Sequence, residues 1–304
     1  MSPPFIKTLD FSYGAAARLS PLVRRVVAQN PSAFTFHGTG TYIIGQPGGG
    51  QAVIDPGPAD PAHLQALLAA LEGEKVSHIL ITHTHRDHSP LAAELQRRTG
   101  APTYAYGPHP QPRGGLAVEE GGDHEFRPDH LLADGERIEG DGWSVQALYT
   151  PGHISNHLCF SLAEENALFS GDHVMGWSTT IISPPDGNMT DYYNSLEKLL
   201  PRNEAIYYPT HGAPIMEAAT GGNPQAFVRS LIAHRQGREA QIMAVLETGP
   251  QSIPAMVERM YADVPKQLHG AAARSVLAHL IHMAGDGRVK ADPQPDERAT
   301  YRRA

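Results

Sequence analysis

The 304-residue chain is 40% apolar and 18% charged, a composition typical of a globular protein with room for one large and one small domain. Its net charge of −8 argues against broad, non-specific binding to nucleic acid, which depends on a positive surface. No apolar run approaches the ~18 residues of a membrane helix, and the N-terminal residues lack a signal-peptide pattern. The single cysteine, Cys159, excludes an intrachain disulfide. We therefore expect a cytoplasmic protein without a membrane partner.

β-Strands are predicted in the N-terminal part of the chain, where "GTYIIGQ" and "QAVIDPG" flank a glycine-rich turn typical of a hairpin. An amphipathic helix is predicted in "PAHLQALLAALEG", with leucines on one face. Residues Val76–Ile81 predict a short buried strand, and Ser89 and Pro90 predict the N-cap and first residue of the next helix. The segment between them is therefore a loop at the end of a strand, where α/β sheets gather functional residues.

This loop contains the pattern H-x-H-x-D-H, formed by His83, His85, Asp87 and His88. Neutral imidazoles and carboxylates are ligands that zinc, iron and manganese accept. Four such groups in so short a loop suit two adjacent ions better than one. The alternative is a polar loop in a chain with 17 histidines, but chance clustering does not explain the spacing.

Three later segments offer further ligands, each after a predicted strand and beside a glycine: His153 in "YTPGHISNH", Asp172 in "LFSGDHVMGW" and His211 in "AIYYPTHGAPI". Singly, each would be an ordinary turn. Between them we predict two hairpins, "DGERIEGDGWSVQALYT" and "HLCFSLAEENALFSGD", and a helix in "MTDYYNSLEKLLP". Residues 107–128 are rich in proline, glycine and charge and predict a long loop, in which His109 and His124 are expected to be solvated.

A change to helical patterns near Gly221–Gln225 predicts two domains, residues 1–222 and 223–304. Three predicted helices followed by a turn and a short strand indicate a winged-helix-like unit. The third helix, Gln267–Gly285, has Arg274 as its only arginine or lysine, so we do not expect it to bind double-stranded DNA. A wall of the substrate cleft or a homo-oligomer contact is the expected role. The final "RATYRRA" is interpreted as a solvated tail.

The order of these motifs resembles the metallo-β-lactamase fold superfamily, with Asp55 of "AVIDPGP" matching an early D-x-G turn. The resemblance implies an α/β protein: an αββα sandwich followed by a small winged-helix-like domain. It also implies two divalent metal ions per chain, with zinc as the first choice and iron or manganese as alternatives. By this resemblance the first ion is held by His83, His85 and His153. The second is held by Asp87, His88 and His211, and Asp172 bridges the two.

The bridging Asp172 favours a branch with glyoxalase II-like enzymes and nucleases over true β-lactamases, and the C-terminal part resembles lactamase-β-like protein 2 and its bacterial relatives. The resemblance implies a dinuclear hydrolase that uses a metal-bridging hydroxide on an acyl substrate, such as a thioester or ester, or on a phosphodiester. A single-strand endoribonuclease is the alternative, with single-stranded RNA as its partner. A winged-helix nucleic-acid-binding regulator with a structural metal site is the alternative from another class.

Other polar residues near the motifs have narrower expected roles. Asp87 is expected to steady the hydroxide as a catalytic group, Asp55 to orient the metal loop by hydrogen bonds, and His173 to shuttle protons or support a ligand. Candidates for substrate contact are Trp177, Thr179, Thr180, Tyr192 and Tyr193. Packing beneath the loop is the alternative for these residues. Thr210 stands where many relatives have glycine before the last histidine.

Overall fold

Two β-sheets face each other in the first part of the chain, in a computed structural model that describes residues 3–110, 121–263 and 265–304. The first sheet has seven strands in chain order: β1 (Ala16–Arg18), β2 (Val23–Val27), β3 (Gly40–Ile44), β4 (Gly50–Ile54), β5 (Lys75–Leu80), β6 (Thr103–Ala105) and β7 (His130–Leu131). Strands β1 to β4 are antiparallel, and β4 to β7 are parallel. The crossover from β4 to β5 runs through α1 (Pro61–Ala70), and that from β5 to β6 runs through α2 (Leu91–Thr99).

The second sheet has six strands in the order β13-β12-β11-β10-β9-β8. Their bounds are β8 (Arg137–Glu139), β9 (Ser144–Tyr149), β10 (Leu158–Leu162), β11 (Ala167–Gly171), β12 (Ile206–Pro209) and β13 (Ile215–Met216). The hairpins β8–β9 and β10–β11 confirm the two predicted from sequence. Strands β11 and β12 are parallel and are connected through α3 (Met189–Leu199), which begins where the side chain of Asn188 accepts the backbone N–H groups of Thr190 and Asp191.

Alternation along the strands places apolar side chains on both faces of each sheet, and this produces the αββα layering. In β10, Leu158, Phe160 and Leu162 lie in the core between the sheets. Cys159 points to the opposite face, where it packs in the core beneath α3. Burial raises the pKa of its thiol to about 12, which fits the packing role expected of this residue. The predicted α/β class and sandwich are confirmed.

The C-terminal part contains α4 (Glu217–Thr220), α5 (Pro224–Leu246), α6 (Ile253–Met260) and α7 (His269–Gly285). Three short strands, β14 (Gln251–Ser252), β15 (Val289–Asp292) and β16 (Thr300–Arg303), form a sheet in the order β14-β16-β15. Helices α6 and α7 with this sheet form the predicted winged-helix module. Within the described ranges, no helix is long and apolar enough to cross a membrane.

Helix α5 joins the two parts of the molecule. Phe227 and Leu231 in its first turns pack with α3 on the second sheet, whereas Ile242 and Leu246 in its last turns pack in the core of the module. The helix thus completes the outer layer of the sandwich before it enters the module. The division between residues 222 and 223 stays a prediction. Residues 111–120 of the predicted long loop lie outside the described residues.

The interpretation of "RATYRRA" as a solvated tail is wrong, because residues 300–303 form the middle strand of the wing. Tyr301 is fully buried in the module core, and its hydroxyl donates a hydrogen bond to the backbone oxygen of Asp296 at 2.7 Å. Two side chains of this short run, those of Ala299 and Tyr301, lie in the module core. Because arginines surround these residues, the sequence did not show the apolar pattern of a strand.

We therefore expect Tyr301→Ala to lower the free energy of unfolding by about 3 kcal/mol or more, as large-to-small core substitutions do. The matched control is Arg302→Ala, an exposed neighbour on the same strand, for which we expect a change within about 0.5 kcal/mol. Urea denaturation of both variants provides the comparison. Equal stability of the two variants would contradict the packing of β16 described above.

Candidate metal centre

The H-x-H-x-D-H loop lies between the end of β5 and the start of α2, as predicted. The helix begins at Leu91, one residue later than expected, and Pro90 provides no side-chain cap. Ser89 does not cap the helix either, because its hydroxyl donates to a carboxylate oxygen of Asp123 at 2.7 Å. The loop is thus anchored by a long-range contact that local sequence does not show.

Three imidazole nitrogens converge in a first cluster formed by His83, His85 and His153. Nε2 of His83 and Nε2 of His153 each lie 3.0 Å from Nδ1 of His85. Zinc–nitrogen bonds of about 2.0–2.1 Å place tetrahedral ligand atoms about 3.3 Å apart. The separations in this cluster match that arrangement closely.

A second cluster contains two histidines and two carboxylates, from Asp87, His88, Asp172 and His211. Nε2 of His88 lies 3.3 Å from Oδ2 of Asp87 and 3.6 Å from Oδ2 of Asp172. Nε2 of His211 lies 3.1 and 3.4 Å from the same two oxygens. Oδ2 of Asp172 is also 3.8 Å from Nε2 of His153, so Asp172 lies between the two clusters.

Four of the five histidines point Nε2 into the site because Nδ1 is held by another group. Nδ1 of His153 lies 2.7 Å from the backbone oxygen of Ile181, and that of His211 lies 3.2 Å from the oxygen of Gly38. Nδ1 of His83 lies 3.1 Å from the hydroxyl of Thr82. A backbone oxygen can only accept, so the contacts of His153 and His211 place a proton on Nδ1. Nε2 is then the nitrogen that faces the site and that a metal would bind in the neutral imidazole.

The fourth of these histidines, His88, is held by the carboxylate of Asp55. Oδ2 of Asp55 lies 2.9 Å from Nδ1 of His88 and accepts hydrogen bonds from the hydroxyls of Thr82 at 2.7 Å and Thr210 at 3.2 Å. Oδ1 accepts the backbone N–H of Thr82 at 2.8 Å. Thr210 thus contributes a donor to this carboxylate.

His157, which was not predicted from the sequence as a site residue, forms a hydrogen bond with the backbone of Asp172. Its Nε2 accepts the backbone N–H of Asp172 at 3.1 Å, and its Nδ1 lies 2.9 Å from the hydroxyl of Thr150. A Cβ atom at Gly171 would lie 2.5 Å from Nε2 of His157, and the φ of Gly171 is +52°. The glycine before Asp172 was a usable signal, because it marks a close approach of another group to the chain.

The two clusters differ in electrostatics. Burial lowers the pKa of His83, His85 and His153, and neighbouring imidazoles add to the effect, so these rings are neutral near pH 7. Burial also opposes charge on His88 and His211, but the carboxylates of Asp87 and Asp172 outweigh it. They raise the pKa of His211 to about 10 and that of His88 well above its ordinary value.

The donor set fits divalent cations. Nε2 of His88 and Oδ1 of Asp172 are buried and have no hydrogen-bond partner among the described residues. Buried polar atoms without partners are costly, and a bound cation would satisfy both. Atoms of His83, His88 and Asp172 also lie within 4.8 Å of one another, so the two clusters adjoin.

The other predicted site residues lie around this centre. Thr180 and Tyr192 are buried, whereas Trp177 and Thr179 are half-buried. Trp177 packs against Gly212, next to His211, and stacks on Phe36 with ring centroids 4.8 Å apart. His173 is buried beside the ring of Tyr192 at 5.1 Å, and burial lowers its pKa to about 3. Tyr193 is buried too. Substrate contact by the five candidates and a role for His173 stay predictions.

A small cavity opens directly onto both clusters. The metal-site residues in its wall are His85, Asp87, His153, Asp172 and His211. The remaining wall residues, Phe34, Met175 and Ile181, are apolar. His109, expected to be solvated, is half-buried beside this site, with Nδ1 2.9 Å from the hydroxyl of Thr84.

Comparison with known proteins agrees with this architecture. The family model described as metallo-beta-lactamase superfamily matches residues 35–211, and the beta-lactamase associated winged helix domain matches residues 252–298. A beta-lactamase-like protein 2 homolog from Drosophila melanogaster is 31% identical over 294 residues, covering 93% of this chain and 94% of that protein. An atrochrysone carboxyl ACP thioesterase from Aspergillus fumigatus is 32% identical over 293 residues, covering 89% and 84%.

The fold is also found in a solved structure, a metallo-beta-lactamase family protein from Thermus thermophilus. Its TM-score is 0.75 at 23% sequence identity, and the match covers 94% of this chain and 100% of that one. At this identity the likeness concerns the fold alone. It includes the sandwich and extends into the C-terminal module.

The raised pKa values predict that metal binding releases protons. Near pH 7 the metal-free protein carries protonated His88 and His211, whereas a metal ligand must be neutral imidazole. We expect about two protons released when the second cluster is filled with zinc, measured by calorimetric titration in buffers of different ionisation enthalpy. Zinc binding without net proton release would contradict the electrostatic description of this cluster.

Proposed function

The chain belongs to the metallo-β-lactamase superfamily, and we propose that, as a metal-dependent hydrolase of this superfamily, it cleaves acyl thioesters or related esters. The observation that carries the choice of substrate is the composition of the cavity wall. Phe34, Met175 and Ile181 lie beside the metal-site residues, and no lysine or arginine lies in the wall among the described residues. The apolar side of the wall suits an acyl group, whereas binding the neighbouring phosphates of a nucleic-acid chain commonly uses lysine or arginine in addition to the metal ions.

We assign two divalent ions to the site. His83, His85 and His153 would hold the first and Asp87, His88 and His211 the second, with Asp172 placed between the two groups of ligands. Zinc is the first choice because five histidines contribute, and iron or manganese are the alternatives. When bound, the ions lower the pKa of water and polarise the scissile carbonyl, which removes the need for a serine or cysteine nucleophile.

The residues of the chain orient the reactants. Asp87 lies in the cavity wall, and although burial opposes its charge, His88 and His211 hold its pKa below the ordinary range. It is therefore a carboxylate at neutral pH and can accept a hydrogen bond from the attacking water. Phe34 and Ile181 exclude bulk water from one side of the cavity and contact the acyl group.

Two relatives support different aspects of this proposal. The Aspergillus fumigatus protein is named a thioesterase for an acyl carrier substrate, and its match covers most of both chains. The resemblance to lactamase-β-like protein 2 instead indicates single-stranded RNA as the second candidate substrate. The acidic chain and the apolar cavity wall favour the acyl substrate.

The test is turnover by the zinc-loaded full chain on a panel: acyl-glutathione and acyl-pantetheine thioesters, a lactone, a cephalosporin, a phosphodiester and single-stranded RNA. We expect the highest kcat/KM on a thioester. The matched control is Asp172→Asn, which keeps the side-chain volume but loses the charge between the two clusters. It should reduce kcat by at least about a hundredfold.

Two outcomes would contradict the proposal. Faster cleavage of RNA than of any thioester would assign the site to the second candidate. Turnover of the whole panel at the rate of Asp172→Asn would remove support for a hydrolytic site at these residues.

A further inference from the structure

We propose that Arg235, in the C-terminal helix α5, is a positioning residue for the metal centre. It acts through the segment of residues 172–183, which we call the Asp172 loop. Arg235 lies beyond residues 35–211, the part of the chain that matches the superfamily model and contains every residue of the two clusters. The inference rests on the proposed metal site but does not depend on the substrate.

The Asp172 loop has no regular secondary structure, so side-chain contacts must fix its path. Two consecutive residues of this loop contact the metal centre. The hydroxyl of Thr180 donates to the backbone oxygen of Asp172 at 2.6 Å. The backbone oxygen of Ile181 lies 2.7 Å from Nδ1 of His153. The position of residues 180 and 181 therefore sets both the backbone at Asp172 and the ring orientation of His153.

Arg235 holds these two residues from outside the loop. Its Nη2 donates to the backbone oxygen of Thr180, the peptide group that leads into Ile181. The guanidinium carbon lies 5.5 Å from the ring centroid of Tyr192, which restrains the plane of the group. Arg235 is 4% exposed, so little water competes for these contacts.

The burial of Arg235 is not explained by an ion pair. Among the described residues, no carboxylate lies within 4.0 Å of its guanidinium, and its Nε has no hydrogen-bond partner. Burying an arginine without a carboxylate is costly. A purely apolar side chain would pack α5 against the loop at lower cost, but it could not hold the Thr180 carbonyl. This favours a positioning role over simple packing.

The experiment compares zinc affinity and the visible spectrum of the cobalt-substituted protein in full-length variants. Arg235→Met keeps the length of the side chain but removes the donors. We expect it to weaken zinc binding at least about tenfold, as loss of groups that orient metal ligands does, and to shift the cobalt spectrum. Arg235→Lys, which retains one donor, should recover part of the affinity.

The matched control is Arg288→Met, at the same junction between the module and the sandwich. Among the described residues, the hydrogen bonds of the Arg288 side chain go to Glu239 in α5, at 2.7 Å, and to Asp286, not to the Asp172 loop. We expect this variant to keep the zinc affinity within about twofold and to leave the cobalt spectrum unchanged. Melting temperatures of the metal-free variants report on general destabilisation separately.

Unchanged zinc affinity and spectrum in Arg235→Met, with two ions bound to the unaltered chain, would overturn the inference and leave the metal site intact. Equal weakening in Arg288→Met would overturn it as well, since the effect would then be general. If Arg235→Met does not fold, Arg235→Lys decides: zinc affinity and a cobalt spectrum equal to those of the unaltered chain in that variant would also overturn the inference. No metal bound by the unaltered chain would refute the metal site and this inference together.

Discussion

The buried carboxylate of Asp55 is the interaction on which the centre depends. A buried charge is tolerated only when donors surround it, and Thr82, His88 and Thr210 provide four. Thr82 follows β5 of the first sheet, Thr210 follows β12 of the second, and His88 lies in the loop between β5 and α2. Asp55, directly after β4, thus connects the ends of strands that belong to the two different sheets. Its φ of +49° lies in a region that aspartate tolerates better than most residues.

The part of the metal centre that lies in one short segment of the chain could be predicted from the sequence. The pattern from His83 to His88 lies between a strand and a helix, and the structure brings these residues together with His153, Asp172 and His211. Hydrogen bonds from Asp55 to this loop were expected, but the other supporting contacts were not predictable, because they join residues far apart in the chain. His157 reaches Asp172 through a backbone N–H, and Ser89, expected to cap a helix, donates to Asp123 instead.

The C-terminal module also combines local patterns, which could be predicted, with contacts between distant residues, which could not. Its helices could be predicted from the periodicity of their apolar residues. The wing sheet could be predicted only in part, because Tyr301 is the single buried side chain of its middle strand, and the other residues of that strand are basic or polar. Helix α5 packs against both cores, a role that no local pattern encodes. Arg235 lies between these two packing regions. Through Arg235, helix α5 contacts the loop after Asp172, whereas Asp55 holds the loop after β5.

We propose two adjoining cation sites for seven residues: His83, His85, Asp87, His88, His153, Asp172 and His211. X-ray diffraction from crystals of the full chain grown with zinc, with data collected on both sides of the zinc absorption edge, tests it most directly. We expect two anomalous peaks per chain: one among the nitrogens of His83, His85 and His153, the other beside Asp87, His88 and His211, with Asp172 between them. A single peak outside both clusters, or none in crystals soaked to saturation, would contradict it.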